Sequence, residues 1–441
     1  MRKVVKFGGT SLADSAQFGK VRDIVLEDEA RTIVVPSAPG RRSANDVKVT
    51  DLLYQCYGLA AEGKDFRRPL QAVRDRYVEI VQGLALSLPL DEEFRKIEES
   101  LTSAPDRDYT ASRGEYLNGL VLAEYLGFTF LDAAELFFFD DAENFDAARS
   151  HGVLTARLEE TPRAVVPGFY GIDPAGRVRT FPRGGSDITG AIIAGACGAS
   201  VYENWTDVSG LLMADPRIVK DPKVIRDITY SELRELAYMG ATVLHEDAIL
   251  FVRRAGVPIN IRNTNQPEDP GTWIVGHTAK QSSHTITGVT GKKDFCSIIL
   301  AKDRLHSDPG FHSRVVRCFE ESNVPLEHLP SGIDTMTVVV HASHFLDREQ
   351  EVLARLARVA RPDTLDIEPG LALIAVVGRG MKSRSGTAAK IFTALARVRV
   401  NVRMIDQGAS ELNVIVGVLN EDFERAIRSI YSAFVEEDSP D

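Results

Sequence analysis

The sequence predicts an α/β protein, a three-layer αβα domain with a mostly parallel central sheet followed by two copies of a smaller strand-and-helix unit. Three observations carry this. Short apolar runs alternate with amphipathic segments from residue 1 to about 280. Turn chemistry at Asn265 to Pro270, then the polar stretch Lys280 to His284, breaks the pattern. Beyond the break the chain repeats itself.

In the first region Val4 to Phe7, Thr32 to Val35, Phe128 to Leu131, Ala164 to Val166, Val201 to Asn204 and Pro258 to Ile261 read as strands. Ser15 to Leu26, Asp51 to Ala61, Glu115 to Tyr125 and Ser231 to Met239 read as helices. In the repeat, Ile298-Ile299-Leu300 falls over Ile374-Ala375-Val376, an offset of 76. The same offset brings Gly310 onto Gly386, Val315 onto Ile391, Phe319 onto Leu395, Val324 onto Val400 and Val338 onto Val414. Only the first copy is followed by a further strand candidate, Thr364 to Glu368, while a spare one, Thr285 to Thr290, precedes it. The spare strand is expected to complete the sheet of the second copy, with the first copy inserted within the second.

Composition narrows the function. The 441 residues hold 63 acidic and 52 basic side chains, net charge -11, with no basic block, which argues against nucleic acid or anionic membrane as the main partner. No run of 18 apolar residues occurs, and Met1 is followed at once by strand-like Arg2 to Phe7, leaving no room for a signal peptide; a cytoplasmic location is expected. Cys56, Cys197, Cys296 and Cys318 form no C-x-x-C pair or zinc spacing, so free thiols in a reducing compartment are expected.

Two glycine-rich junctions carry the chemistry. Arg183-Gly184-Gly185-Ser186-Asp187 opens an apolar helix whose N-terminal amides and dipole suit an anion, with Arg183 adding a bidentate fork. Asp187 either caps that helix or helps organise a metal. Lys6-Phe7-Gly8-Gly9-Thr10-Ser11 leaves the first strand toward a helix, placing a lysine and bare amides where phosphates bind in such sheets. Taken singly, each is a turn with a helix cap. Neither a P-loop nor a His-Arg-Asp catalytic loop occurs.

Together with Thr206-Asp207-Val208-Ser209-Gly210, Asp215-Pro216-Arg217 and Gly240-Ala241-Thr242-Val243-Leu244-His245, these motifs resemble, in order and spacing and over effectively the whole chain, the aspartate kinases of the amino-acid kinase superfamily. The resemblance implies an amino-acid kinase domain over 1–280 and two ACT domains of ferredoxin-like βαββαβ type, the first over 292–368 and the second over 284–291 plus 369–441. It implies transfer of the ATP γ-phosphoryl group to the side-chain carboxylate of L-aspartate, at the head of lysine, threonine and methionine synthesis. A glutamate or acetylglutamate kinase and a catalytically inactive amino-acid sensor are the rival readings.

The resemblance also implies roles. Lys6, Arg183 and Asp187 are the catalytic candidates, and Thr50, Glu115, Arg183 and Ser186 the aspartate-binding ones, with Glu115 on the ammonium group. For ATP it points to Lys6, Gly8, Gly9, Thr10, Ser11, Thr206, Asp207, Leu212, Asp215, Arg217, Thr242 and Val243. Leu212 stands where many relatives carry a tyrosine, and Thr242 where many carry a lysine. No side chain is assigned as a direct metal ligand; Asp207 or Asp187 acts on Mg²⁺ through water. Arg41 to Lys48, longer than the corresponding loop of many relatives, reads as a flap or a solvated loop. His245 reads as a capping or structural residue. Ser307, Phe311, Leu326, Glu327 and Asp334 are the candidate effector contacts, for lysine with threonine as a second effector. A homodimer or dimer of dimers through the ACT repeats is expected.

Overall fold

The computed structural model describes residues 1–182, 184–240, 244, 246–276 and 284–435, which divide into two units. The first comprises the described residues of 1–211, 224–230 and 244–276, and the second those of 212–223, 231–240 and 284–435.

In the first unit the apolar runs become β1 (Lys3–Phe7), β2 (Arg31–Pro36), β3 (Thr129–Phe130), β4 (Ala164–Val165), β7 (Val201–Thr206), β8 (Asp227–Thr229), β9 (Ile259–Asn263) and β10 (Thr272–Val275), with β5 (Tyr170–Ile172) and β6 (Val178–Thr180) as a separate hairpin. The main sheet runs β3-β4-β2-β1-β7-β9-β10-β8, parallel except where β10 turns back along β9. Central strands are apolar on both faces because helices cover both.

One helical layer holds α1 (Ser15–Glu27), α2 (Val49–Ala61), α3 (Arg67–Gly83), α4 (Asp91–Ser103) and α5 (Arg107–Leu126), which share a core with Val5, Phe7, Val34 and Trp205. On the other face, α7 (Gly185–Ala196) packs on β1, β2 and β7, between α6 (Ala147–Glu160) and α9 (Glu246–Ala255). α8 (Tyr230–Tyr238) belongs to the second unit from residue 231 onward. Caps set the helix limits: Asp106 accepts from the Tyr109 amide at 2.7 Å to start α5, and Gly127, at φ +68°, ends it.

The second unit confirms the offset of 76 in its elements. α10 (Phe311–Glu321) and α13 (Thr387–Arg397) start 76 residues apart, capped by Gly310 and Gly386. Around them lie β11 (Gly288–Ala301), β12 (Thr335–His341), α11 (Ala342–Phe345), α12 (Glu349–Arg355), β13 (Thr364–Val377), β14 (Met404–Asp406), β15 (Asn413–Leu419) and α14 (Phe423–Val435).

β11 and β13 each run through both copies, so the two share one antiparallel sheet, β12-β11-β13-β15-β14. Phe295–Ala301 pair with the first copy's closing segment Thr364–Leu371, whereas Gly288–Lys292 pair with Leu373–Val377 of the second copy. The register shifts between these halves, beside Asp294 at φ +68°. The spare strand therefore lies against the second copy.

Candidate active site

β1 stands between β2, reached through α1 on one face of the sheet, and β7, reached through α7 on the other. That reversal opens a crevice at the carboxyl ends of the strands. A cavity of about 400 Å³ lies there, lined by Lys6, Gly8, Gly9 and Thr10 after β1, by Ser37 to Gly40 after β2, by Lys48 and Thr50 at the start of α2, and by Glu115 of α5. Phe169, Gly184 to Asp187 around the start of α7, and Thr206 and Asp207 after β7 complete it.

Lys6 is 8% exposed, and its Nζ lies 2.6 Å from Asp187 Oδ1. Asn204 Nδ2 donates to the same oxygen at 2.9 Å. The cap of α7 is instead Gly184, at φ +78°, a left-handed backbone that favours glycine. Asp187 is thus turned to Lys6 instead of capping the helix.

After β1 the Gly8 amide donates to Trp205 O at 2.9 Å, so that N–H is spent on the sheet. The amides of Gly9 and Thr10 precede the first bond of the turn Gly9–Leu12, from Ser11 N to Gly8 O at 3.0 Å. Gly9 touches Gly40 backbone to backbone: a Cβ on Gly9 would sit 2.8 Å from Ala38 O, and one on Gly40 2.5 Å from Gly9 C. Only glycines allow that approach.

Glu115 is 6% exposed, and its Oε2 has no hydrogen-bond partner. Burial pushes its carboxyl up to about 7, against the opposing pull of the Ala38 amide, Lys6 and Arg113. A buried carboxyl with one oxygen left unpartnered, on a residue that lines a cavity, is suited to a cationic group.

The structure brings together most of the residues expected from the sequence: Lys6, Gly8, Gly9, Thr10, Thr50, Glu115, Ser186, Asp187, Thr206 and Asp207 all line the cavity. Ser11 does not; its hydroxyl shares a 2.7 Å hydrogen bond with Thr264. Leu212, Asp215 and Arg217 fall in the second unit, where Asp215 and Arg217 pair with each other at 2.6 Å. Arg183, Thr242, Val243 and His245 lie outside the described residues.

Sequence reasoning missed Lys48, the Ser37 to Gly40 wall, Phe169 and Asn204. The 41–48 loop is not simply solvated: buried Arg76 of α3 donates to Gly40 O at 3.0 Å and to Asp46 at 2.6 and 2.8 Å, and Arg42 also pairs with Asp46. Carboxylates of Asp187 and Asp207 face the cavity, and among the described residues no cluster of three or more His, Cys, Asp or Glu forms a metal cage. That donor set fits magnesium, which keeps several waters and takes one or two carboxylates beside phosphates.

In the second unit the two expected effector turns are neighbours, with the His306 amide donating to Ile333 O at 3.3 Å. Asp334 Oδ1 accepts from the Arg304 amide at 3.1 Å, and Glu327 accepts from the Tyr238 hydroxyl. Phe311 is fully buried in the core of the first copy, beside Leu305, Val315 and Met336, with Leu326 packed against that core. Ser307 closes the turn Leu305–Ser307, its amide donating to Arg304 O at 2.9 Å.

A three-layer domain whose sheet brings glycine-bounded amides, a lysine and a buried glutamate to one crevice can hold small charged ligands, and the comparisons with known proteins supply the class. The amino acid kinase family model matches residues 1–263, and an ACT domain model matches 374–434. Aspartokinase 3 of Bacillus subtilis (strain 168) is 36% identical over 447 residues, spanning 98% of both chains. The crystal structure of Clostridium acetobutylicum aspartate kinase is 48% identical with a TM-score of 0.92, over 98% of this chain and 100% of that one. E. coli aspartokinase III matches over 98% of this chain and 99% of that one in two states: in complex with aspartate and ADP (R-state; 28% identical, TM-score 0.75) and with lysine and aspartate (T-state; 26% identical, TM-score 0.71). The chain belongs to the amino acid kinase family and, within it, to the aspartokinases. Among the described residues no helix is long and apolar enough to cross a membrane.

Proposed function

We propose that the cavity holds ATP and L-aspartate together and transfers the γ-phosphoryl group to the aspartate side-chain carboxylate, giving 4-phospho-L-aspartate and ADP. The observation that carries this reading is Glu115: its unpartnered buried oxygen offers an ammonium site in the same 400 Å³ cavity as the Lys6–Asp187 pair. The acceptor is already an anion, so no base is required. Bringing two anions together by position and charge supplies the catalysis.

In this reading Lys6 neutralises the transferring phosphoryl group, and the Gly9 and Thr10 amides donate to its oxygens. Thr50 and Ser186 orient aspartate, and Arg183 takes one of its carboxylates. Thr206 and Asp207 serve the nucleotide, and Leu212, Asp215, Arg217, Thr242 and Val243 are assigned to ATP as well; Ser11, whose hydroxyl is held by Thr264, supports the turn that carries Gly9 and Thr10. Asp187 and Asp207 hold magnesium through its waters; when bound, the ion screens the charge of the β- and γ-phosphates.

The catalytic domain in this reading spans 1–280, the first ACT domain 292–368, and the second 284–291 with 369–441. The ACT pair takes an amino-acid effector, lysine with threonine second, at the turns of Ser307, Phe311, Leu326, Glu327 and Asp334. Burial of Phe311 gives it the role of packing behind those turns. Assembly as a homodimer or dimer of dimers through the ACT domains, and a cytoplasmic location, complete the reading. ADP formation measured with aspartate, glutamate and acetylglutamate tests it: turnover with aspartate is expected, and turnover with another acceptor alone, or none, overturns it. Titrating lysine and threonine into the same assay, and sedimentation with and without lysine, test the effector and the assembly.

A further inference from the structure

Among the described residues the cavity carries little positive charge for the two anions proposed to meet there. Among its described lining residues Glu115, Asp187 and Asp207 are acidic, and only Lys6 and Lys48 are basic. Lys6 is already committed to Asp187 at 2.6 Å. Lys48 is exposed, lines the cavity, and among the described residues takes part in no ion pair or side-chain hydrogen bond.

Its backbone is held on both sides. Asp46, two residues earlier, is gripped by Arg76 and Arg42; the Val49 amide donates to Pro39 O at 3.2 Å; and Lys48 O accepts the Leu52 amide at 3.1 Å, opening α2. Lys48 is the residue just before a 13-residue helix whose N-terminal dipole end adds positive potential at the same place. The start of α2 also shares a wall with Glu115: a Cβ on neighbouring Gly114 would lie 2.8 Å from Ala38 Cβ and 3.5 Å from Val49 Cγ1.

We infer that Lys48 is a further substrate-binding residue, its ammonium meeting a carboxylate of the amino-acid substrate. This rests on the aspartate kinase reading above. Glu115 and Lys48 then present opposite charges along one wall, complementary to a zwitterion whose ammonium and carboxylate are joined by a short carbon chain. The phosphate-side groups Lys6, Gly9 and Thr10 come from the end of β1, a different element, which assigns Lys48 to the amino acid and not to ATP. The anchoring by Arg76 and Asp46 limits the entropy lost when the lysine engages.

Steady-state kinetics of Lys48→Met and Lys48→Arg test the inference, with calorimetric binding of aspartate as a second readout. For Lys48→Met the KM for aspartate and its dissociation constant are expected to rise about ten- to a hundredfold, as for loss of one charge-assisted contact. The KM for ATP is expected to stay within about twofold, and Lys48→Arg to recover most of the loss. An unchanged KM for aspartate, or a rise in the KM for ATP instead, overturns it. Wild-type protein without aspartate-dependent ADP formation refutes the underlying reading; an active wild type with an indifferent Lys48→Met refutes only the role of Lys48.

Discussion

Lys6 Nζ and Asp187 Oδ1, 2.6 Å apart, tie the end of β1 to the first turn of α7 across the cavity. The pair keeps the ammonium in place before a nucleotide arrives, and Asn204 fixes the carboxylate from behind. Lys6→Ala is expected to lower kcat by about 10²- to 10³-fold, the usual loss for one preorganised charge at a transferring group. The dissociation constant for ADP should move far less. Near-normal turnover removes Lys6 from the mechanism.

Glu115 links function to stability with opposite signs. Its carboxyl is raised from 4.5 to about 7 by burial, so the folded chain holds that proton more tightly than the unfolded one. Its contribution to stability is intact below about pH 4.5 and is lost as pH rises through about 7. Glu115→Gln should therefore match wild type in urea unfolding at pH 4.5 and exceed it by about 3 kcal/mol at pH 8. The same substitution should raise the KM for aspartate and flatten its pH dependence, which in wild type improves as pH climbs through about 7. Equal unfolding curves at both pH values refute the linkage.

Much of this was legible in the sequence because glycine and charge mark their own positions. Gly8-Gly9 and Gly184-Gly185 announce turns, and Lys6, Glu115 and Asp187 beside them announce an anion and a cation site. The repeat was legible because core positions recur at a fixed spacing in α10 and α13. α3 is harder to read: Leu70, Val73, Tyr77 and Ile80 follow helical spacing, but the segment opens on Arg67-Arg68-Pro69 and is rich in charge. Lys48 was illegible for another reason. Its place in the cavity depends on Arg76, distant in sequence, gripping Asp46 and Gly40 O, and on the carboxyl end of β2 lying beside α5, where Asn118 donates to Ser37 O.

Arg76 offers a test of that grip. It is 5% exposed and pairs with Asp46, whose carboxyl is kept well below the usual carboxylate range, against the opposing effect of burial, by hydrogen bonds from Arg42 and then by the charge of Arg76. A depressed acid of this kind stabilises above the unfolded value near 4, and the contribution fades as pH falls toward the folded value. Arg76→Met is expected to cost about 1–3 kcal/mol at pH 7 by removing charge-assisted bonds to Asp46 and Gly40 O. Because Gly40 and Lys48 line the cavity, the KM for aspartate should rise as well. Loss of stability with an unchanged KM confines Arg76 to the scaffold.

In the second unit Glu232 is fully buried on α8, where its carboxylate takes the Arg379 guanidinium at 2.8 Å, the Arg379 amide at 2.8 Å and the Thr287 hydroxyl at 2.6 Å. Arg379 follows β13 and Thr287 precedes β11, so one side chain joins α8 to both long strands of the shared sheet. Arg379→Met leaves the carboxylate buried without its guanidinium, and the expected loss is about 3–5 kcal/mol. Desolvation makes the intact pair itself worth less than that, so Glu232→Met with Arg379→Met together should cost less than Arg379→Met alone. Denaturation of the four proteins, followed by fluorescence, decides the point: a double variant at least as unstable as the two losses summed rules out direct coupling between the two side chains.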